Sequence, residues 1–161
     1  VTAVQLISAM SAIANNGNLM RPSIIKCIKD KQGKLVKEYK PCLVRQAISK
    51  DIAKRITRIL KGAVETGTGK EAAIDGYVVA GKTGTAQKID VKTRKYSSTK
   101  FVASFMGFVP ADNPKIVIFV SVDEPNRIYW GGSVAAPAFS KIGKRVLRYM
   151  ERGNYDFVKN Y

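Results

Sequence analysis

The stretch GYVVAGKTGTA, residues 76–86, carries the strongest indication of how this chain folds. Its first eight residues spell G-x-x-x-x-G-K-[ST], the pattern of a phosphate-binding P-loop. Further along, IVIFVSVDE (116–124) is an apolar run that ends in two acids, as the magnesium-binding strand of an ATPase would. The stretch at 76–86 is therefore either a nucleotide-binding loop or an extended strand.

A P-loop requires a helix that starts at the Lys-Thr pair, because the amide groups of that helix hold the phosphates. Here Tyr77 and the two valines after it fill the supposed loop, and such residues prefer extended structure. Gly84 directly follows Thr83 and is a poor helix start. The sequence therefore predicts a strand over 77–86 and argues against nucleotide binding.

On a strand, Thr83 and Thr85 share one face, and Lys82 and Gly84 share the other. Two hydroxyls can donate hydrogen bonds to a carboxylate while the lysine supplies positive charge from behind. Gly84 lets another backbone come close. If the strand lies at an exposed sheet edge, a peptide can pair with it and place its terminal carboxylate on the threonines. A strand end with a surface lysine also explains the tetrapeptide.

The helices are predicted from apolar periodicity and capping residues. The first covers 2–16, with Thr2 and Gln5 as a capping box and Val1 and Leu6 as a hydrophobic staple.

Two more helices follow. Ser49 caps the second helix, which ends at the glycines of 67–69. The last helix is predicted over 134–152, with Ser133 near its cap and Pro137 in its first turn.

Strand patterns fill the rest. Alternating apolar residues and lysines over 23–45 predict a basic β-hairpin with one buried and one solvent-exposed face. The runs 77–86, 100–109 and 115–123 are close in sequence and should pair as a three-stranded antiparallel meander over 77–123. The polar stretch 88–100 is expected to be mobile. The fold class is α+β, an antiparallel sheet with helices packed on it.

The composition limits the function classes. The chain has 161 residues, one domain's length, and 28 Lys and Arg against 12 Asp and Glu, a formal charge of +16. An anionic neighbour is expected, but aromatic residues are not interleaved as in a nucleic-acid groove, so no nucleic-acid partner is predicted. With two cysteines and no histidine, neither a His-based triad nor a common zinc site is available, and no cofactor or metal is predicted. Cys27 and Cys42 are expected to be unpaired thiols.

Several segments, taken in order, resemble the transpeptidase domain of class B penicillin-binding proteins. The string PADNPK…VDEP…GG-VAAP is most similar to the division-type branch. The resemblance covers roughly 1–150 and rests on VTAVQLISAMSAIANNGNLMRP (1–22), ETGTGKEA (65–72), AGKTGTAQ (80–87), FVASFMGFVPADNPKIVIFVSVDEP (101–125) and GGSVAAPAFSKI (131–142).

This resemblance implies a penicillin-binding, serine β-lactamase-like fold and a serine acyl-transferase of peptidoglycan. Such enzymes attack the D-Ala–D-Ala bond of a stem peptide, pass the acyl group to a neighbouring amine, and are trapped by β-lactams. They work at the outer face of the bacterial cytoplasmic membrane, with an N-terminal anchor that this chain lacks, beside other cell-wall and division proteins.

The resemblance also implies residue roles. Lys82 corresponds to the motif lysine that organises the serine–lysine proton network. Thr83 and Thr85 correspond to the hydroxyls that hold the substrate carboxylate, and the Thr85 N–H to an oxyanion-hole donor. Gly84 provides the close approach.

Two of the family's three motifs are not matched. There is no S-x-N, and the S-x-x-K spellings at Ser23–Lys26 and Ser97–Lys100 fall on a predicted strand start and a polar connection, where an offset of three separates the side chains. The chain also starts abruptly, with Val1 leading directly into the first helix. We therefore expect the C-terminal part of a transpeptidase domain, spanning 1–161, that lacks the nucleophile, cannot acylate alone, and exposes apolar surface. The alternative is a non-catalytic basic module that binds an anionic polymer or partner protein.

Of three further features, two have open interpretations. Tyr129-Trp130 either borders the acceptor side of the cleft or closes the rim of the sheet. Gly131-Gly132 is expected to form a tight turn beside the Lys82 strand. The basic hairpin 23–45 is either a solvated face or a surface for lipid, glycan or a division protein.

Overall fold

The computed structural model describes residues 1–91 and 93–152, so the last nine residues of the predicted domain, 153–161, lie outside it. The described residues form an α+β fold of three α-helices and seven strands. In chain order these are α1 (Ala3–Ala14), β1 (Asn18–Met20), β2 (Cys27–Lys29), β3 (Leu35–Glu38), β4 (Leu43–Gln46), α2 (Lys50–Glu65), β5 (Ala80–Ile89), β6 (Tyr96–Val109), β7 (Ile116–Asp123) and α3 (Gly131–Glu151).

The central sheet is the antiparallel meander β5-β6-β7, which confirms the predicted pairing. Its first hairpin is longer than expected, because β5 continues to Ile89 and β6 already begins at Tyr96. These two residues pair with each other after a register shift. Much of the polar stretch 88–100 therefore belongs to paired strands rather than to a mobile connection.

Helices cover both faces of this sheet. Phe105 and Val109 on β6 share one core cluster with Phe139 of α3, whereas Phe108 packs with Met10 of α1 in a second cluster. Side chains alternate across a strand, so α3 and α1 lie on opposite faces. Phe105 and Phe139 are both fully buried, and their rings meet edge to face with centroids 4.7 Å apart.

The predicted caps of α1 and α2 are present. The Gln5 N–H donates to Thr2 Oγ1 at 3.3 Å and the Thr2 N–H donates to Gln5 Oε1 at 2.8 Å, forming the capping box. The Ile52 N–H donates to Ser49 Oγ at 3.3 Å. The predicted staple is wrong, since Val1 is fully exposed and covers nothing.

The start of α3 also differs from the prediction. The helix begins at Gly131 rather than at 134, so Ser133 lies in its first turn and Pro137 lies inside the helix. The cap is Trp130, whose extended backbone makes no side-chain capping bond. Although α3 has 21 residues, no helix in the described part of the chain is long and apolar enough to span a bilayer.

The basic hairpin is shorter than predicted. β2 pairs with β3 around a turn held by the Asp30 carboxylate, while β4 pairs with β1 instead of extending the ladder. All four residues of β3 are exposed, so the predicted buried face is wrong. A two-stranded ribbon without a covering layer leaves both faces in water. Cys27 lies opposite Glu38, and both cysteines have free thiols.

Candidate functional site

The Lys82-Thr83 pair lies on a strand. β5 runs unbroken from Ala80 to Ile89, and no helix begins after Thr83. The backbone there pairs with β6 and does not curl into a loop of amide groups around an anion. The P-loop interpretation is therefore excluded by geometry, as the residue types indicated.

The threonines and the lysine leave the strand on opposite faces, as predicted. Thr83 pairs with Phe105, whose ring faces α3, whereas Lys82 pairs with Met106 on the α1 side. The lysine nevertheless reaches the threonine face: Lys82 Nζ donates to Thr83 Oγ1 at 2.9 Å and to the Thr83 carbonyl oxygen at 3.2 Å. β5 is an edge strand of the described sheet, so a long side chain can curl around it.

A second hydroxyl, that of Thr68, joins this pair from another part of the chain. Thr68 Oγ1 lies 2.8 Å from Thr83 Oγ1 and accepts from Lys82 Nζ at 3.4 Å. Sequence reasoning gave the glycine-rich turn at 67–69 only the task of ending α2 and missed this contact. No local pattern marks it, because the two threonines are fifteen residues apart.

The first turn of α3 is seated directly on the strand. The Gly131 N–H donates to Thr85 Oγ1 at 3.2 Å. A Cβ atom on Gly131 would collide with the carbonyl oxygens of Gly84 and Ser104, and one on Gly132 with the Thr68 carbonyl oxygen. The two glycines therefore lie beside the lysine strand, as predicted, but as the start of a helix rather than as a tight turn.

These groups line one open cleft of about 490 Å³. An ammonium and several hydroxyls beside the amino end of a helix suit an anion, and a carboxylate is an anion that accepts hydrogen bonds from all of them. Among the described residues, no group of His, Cys, Asp and Glu is placed to hold a metal ion. The cleft is lined by Thr68, Lys70, Glu71, Lys82, Thr83, Thr85, Trp130, Gly131, Gly132 and Ser133.

The two aromatic residues before α3 have different positions. Tyr129 stacks on Phe101 of β6 with ring centroids 4.1 Å apart, which closes the rim of the sheet. Trp130 lies against Tyr129, is more than half exposed, and lines the cleft. Tyr129 therefore fits the rim alternative and Trp130 borders the cleft, while its assignment to the acceptor side stays a prediction.

Neither S-x-x-K serine lines the cleft. Ser23 precedes β2 and its hydroxyl donates to the Ile25 carbonyl oxygen at 3.1 Å. Ser97 lies on β6 rather than in a connection, because that strand starts one residue earlier. The amine of Lys100 lies 3.6 Å from the Glu124 carboxylate. The Lys100 amine is thus paired with an acid, and both serines lie outside the cleft that holds Lys82.

The far end of β5 carries a separate charged cluster. Lys88 Nζ donates to Glu124 at 2.7 Å and to Asp123 at 2.9 Å, crossing over β6. The hydrogen bond to Glu124 is the main cause of the raised pKa of Lys88, and the bond to Asp123 is the second. The same Lys88–Glu124 bond lowers the pKa of Glu124. Both carboxylates are exposed and Lys88 is only part-buried, so the pairs add little stability.

Comparison with known proteins agrees with this geometry. The family model described as the penicillin binding protein transpeptidase domain matches residues 1–144. Stage V sporulation protein D of Bacillus subtilis is 44% identical over 144 residues, which cover 88% of this chain and 22% of that protein. The probable peptidoglycan D,D-transpeptidase PbpC of Pseudomonas aeruginosa is 38% identical, with 92% of this chain and 24% of the relative covered.

A solved structure gives the same result. Penicillin-binding protein 3 of Mycobacterium tuberculosis, in complex with aztreonam, superposes with a TM-score of 0.85 at 32% identity, covering 94% of this chain and 36% of that one. The chain spans about a quarter of the length of the curated relatives it matches. The resemblance found in the sequence is confirmed: this chain belongs to the penicillin-binding protein transpeptidase domain family, among class B members.

Proposed function

We propose that this chain is the C-terminal portion of a single transpeptidase domain and supplies the carboxylate-binding strand of a peptidoglycan D,D-transpeptidase. The observation that carries the proposal is the convergence of the Lys82 ammonium with the hydroxyls of Thr83, Thr68 and Thr85 on one cleft. Family membership and the names of the relatives support the same activity. Hydrogen bonds between these groups and a ligand carboxylate would involve a charged partner, and such bonds are stronger than those between neutral groups.

In this proposal the terminal carboxylate of the D-Ala–D-Ala stem peptide lies on Thr83 and Thr85. Lys82 adds positive charge and helps organise the protons of the attacking serine. The Thr85 N–H is one of two donors to the carbonyl oxygen, which becomes negative when the serine adds to it. Donors placed in advance at such an oxygen are worth about 10²–10³ in rate each.

The attacking serine lies outside this chain, so we expect this chain alone to form no acyl-enzyme. Intact mass measured after incubation with benzylpenicillin tests this on two samples: this chain, and the full-length product of its gene. An adduct is expected on the full-length protein only. The reason is that neither Ser23 nor Ser97 lines the cleft that Lys82, Thr83 and Thr85 share.

Each other outcome has a definite meaning. An adduct on this chain that disappears with Ser97→Ala or Ser23→Ala would show that it carries its own nucleophile. If both samples are folded and neither is labelled, the transpeptidase proposal fails and the basic binding module gains support.

Substrates, partners and location follow from the same proposal. The ligands are stem peptides and β-lactams, as supported by solved relatives in complex with aztreonam and ampicillin. The protein works in the bacterial cell envelope, on the outer face of the cytoplasmic membrane to which an N-terminal anchor holds it. Other cell-wall and division proteins are its partners there.

Thr68 offers a test of a residue outside the Lys82-Thr83-Gly84 motif. In the full-length protein, Thr68→Val should lower the second-order rate constant of penicillin acylation by about tenfold, because one hydrogen bond to the Thr83 hydroxyl is lost. Thr66→Val is the matched control, since the Thr66 hydroxyl bonds the Gly62 carbonyl oxygen and does not line the cleft. Equal rates for the two variants would remove Thr68 from the site.

A further inference from the structure

The hydroxyl of Thr85 is held from behind by the first amide of α3. The Gly131 N–H points at Thr85 Oγ1 across 3.2 Å, and this contact joins residues 46 positions apart. Gly131 is buried, whereas Thr85 faces the cleft and is exposed. The hydroxyl oxygen thus has a fixed partner on the protein side and open space on the other.

The chemistry of the two groups sets the direction of the bond. An amide can only donate, so Thr85 Oγ1 accepts there and its own hydrogen remains available. A carboxylate can only accept. A hydroxyl whose oxygen is held by an amide is therefore ready to donate to an anion in the cleft, without first breaking a competing bond to the protein.

The arrangement also satisfies the helix. The first amides of a helix have no partner within it and usually receive one from the capping side chain. The cap of α3 is Trp130, which makes no such bond, and Thr85 on a neighbouring strand fills the role. Only a glycine at position 131 permits this contact, because a Cβ atom there would collide with the backbone of Gly84 and Ser104.

We infer that Gly131 is a positioning residue for the proposed reaction: its N–H orients the Thr85 hydroxyl as a donor to the ligand carboxylate, and Thr85 in turn caps α3. The inference rests on the proposed function. It adds that the strand and the helix share one hydroxyl, so that neither contact can be changed without the other.

A double-mutant cycle in the full-length protein tests this with two probes, benzylpenicillin and its methyl ester. Thr85→Val should slow acylation by benzylpenicillin about 10- to 100-fold, the range for one hydrogen bond to a charged group. Gly131→Ala should cause a similar loss by displacing the amide, and the double variant should be no worse than either single variant. Thr85→Ser should retain most of the rate. With the methyl ester, which carries no anion, the variants should differ from wild type by less than about threefold.

Amide hydrogen exchange gives a readout that does not need Gly131→Ala to fold. The Gly131 amide should exchange faster in Thr85→Val than in Thr85→Ser or wild type. Three results would each overturn the role of Gly131. The first is a double variant whose loss of acylation rate is the product of the two single losses. The others are losses with the methyl ester as large as with benzylpenicillin, or a Gly131 amide exchange rate that Thr85→Val leaves unchanged. A wild-type protein that takes up no penicillin would instead contradict the proposed function itself.

Discussion

Replacing Lys82 by methionine in the full-length protein is expected to lower the second-order rate constant of penicillin acylation about 10²–10³-fold. Methionine keeps most of the length of the side chain but removes the ammonium, which donates to Thr83 Oγ1, the Thr83 carbonyl oxygen and Thr68 Oγ1. The cleft then loses its central positive charge and the donor that orders two hydroxyls. Stopped-flow or gel-based acylation with a fluorescent penicillin measures the rate.

Lys88→Met is the matched control for this change. Lys88 lies on the same strand and the same face six residues on, but it pairs with Asp123 and Glu124 away from the cleft. Its loss removes the same charge and should change the rate by less than about threefold, since exposed ion pairs are worth little. If both variants slow acylation equally, the effect comes from net charge and not from the position of Lys82.

Phe139→Ala is expected to destabilise the domain by about 3–5 kcal/mol. Phe139 is fully buried on α3 and meets the ring of Phe105 edge to face, so its removal leaves a cavity between the helix and the sheet. That cavity lies under the first turns of α3, which carry Gly131 to the cleft. In the full-length protein the temperature at which penicillin labelling is lost should fall by roughly 10 °C.

Ile142→Ala on the same helix provides the comparison. Ile142 is 44% exposed, so its truncation removes less buried surface and leaves no closed cavity. Its loss of stability should stay below about 1 kcal/mol. A Phe139 variant as heat-stable as the Ile142 variant would mean that α3 is held to the sheet by other contacts.

Much of the fold could be predicted because its causes are local. The Thr2 capping box, the Ser49 cap and the alternation of Lys82 and Thr83 across a strand each depend on residues within a few positions of one another. Close spacing along the chain likewise predicted that β5, β6 and β7 pair in order. These predictions needed no knowledge of what packs on either face.

The wrong predictions share a different cause. The staple at Val1 and the buried face of the hairpin each assumed a packing partner. The start of α3 at 134 was placed from local capping residues and took no account of the contact between Gly131 and β5. The sequence of β4 is compatible with the predicted hairpin, but β4 pairs with β1. A strand can pair with any strand edge that the folded chain brings close to it. A local pattern says that a segment is extended and does not say which strand it meets.

Local residue patterns were enough to predict the class of fold and the strand nature of Lys82-Thr83-Gly84-Thr85, and segments spread over roughly 1–150 indicated the family. The other groups that share the cleft with these residues become visible in the folded chain. Thr68 reaches Thr83 from the end of α2, and Gly131 reaches Thr85 from the start of α3. The physical reason is that caps and side-chain alternation arise from neighbouring residues, whereas the meeting of three distant segments depends on how both faces of the sheet are packed.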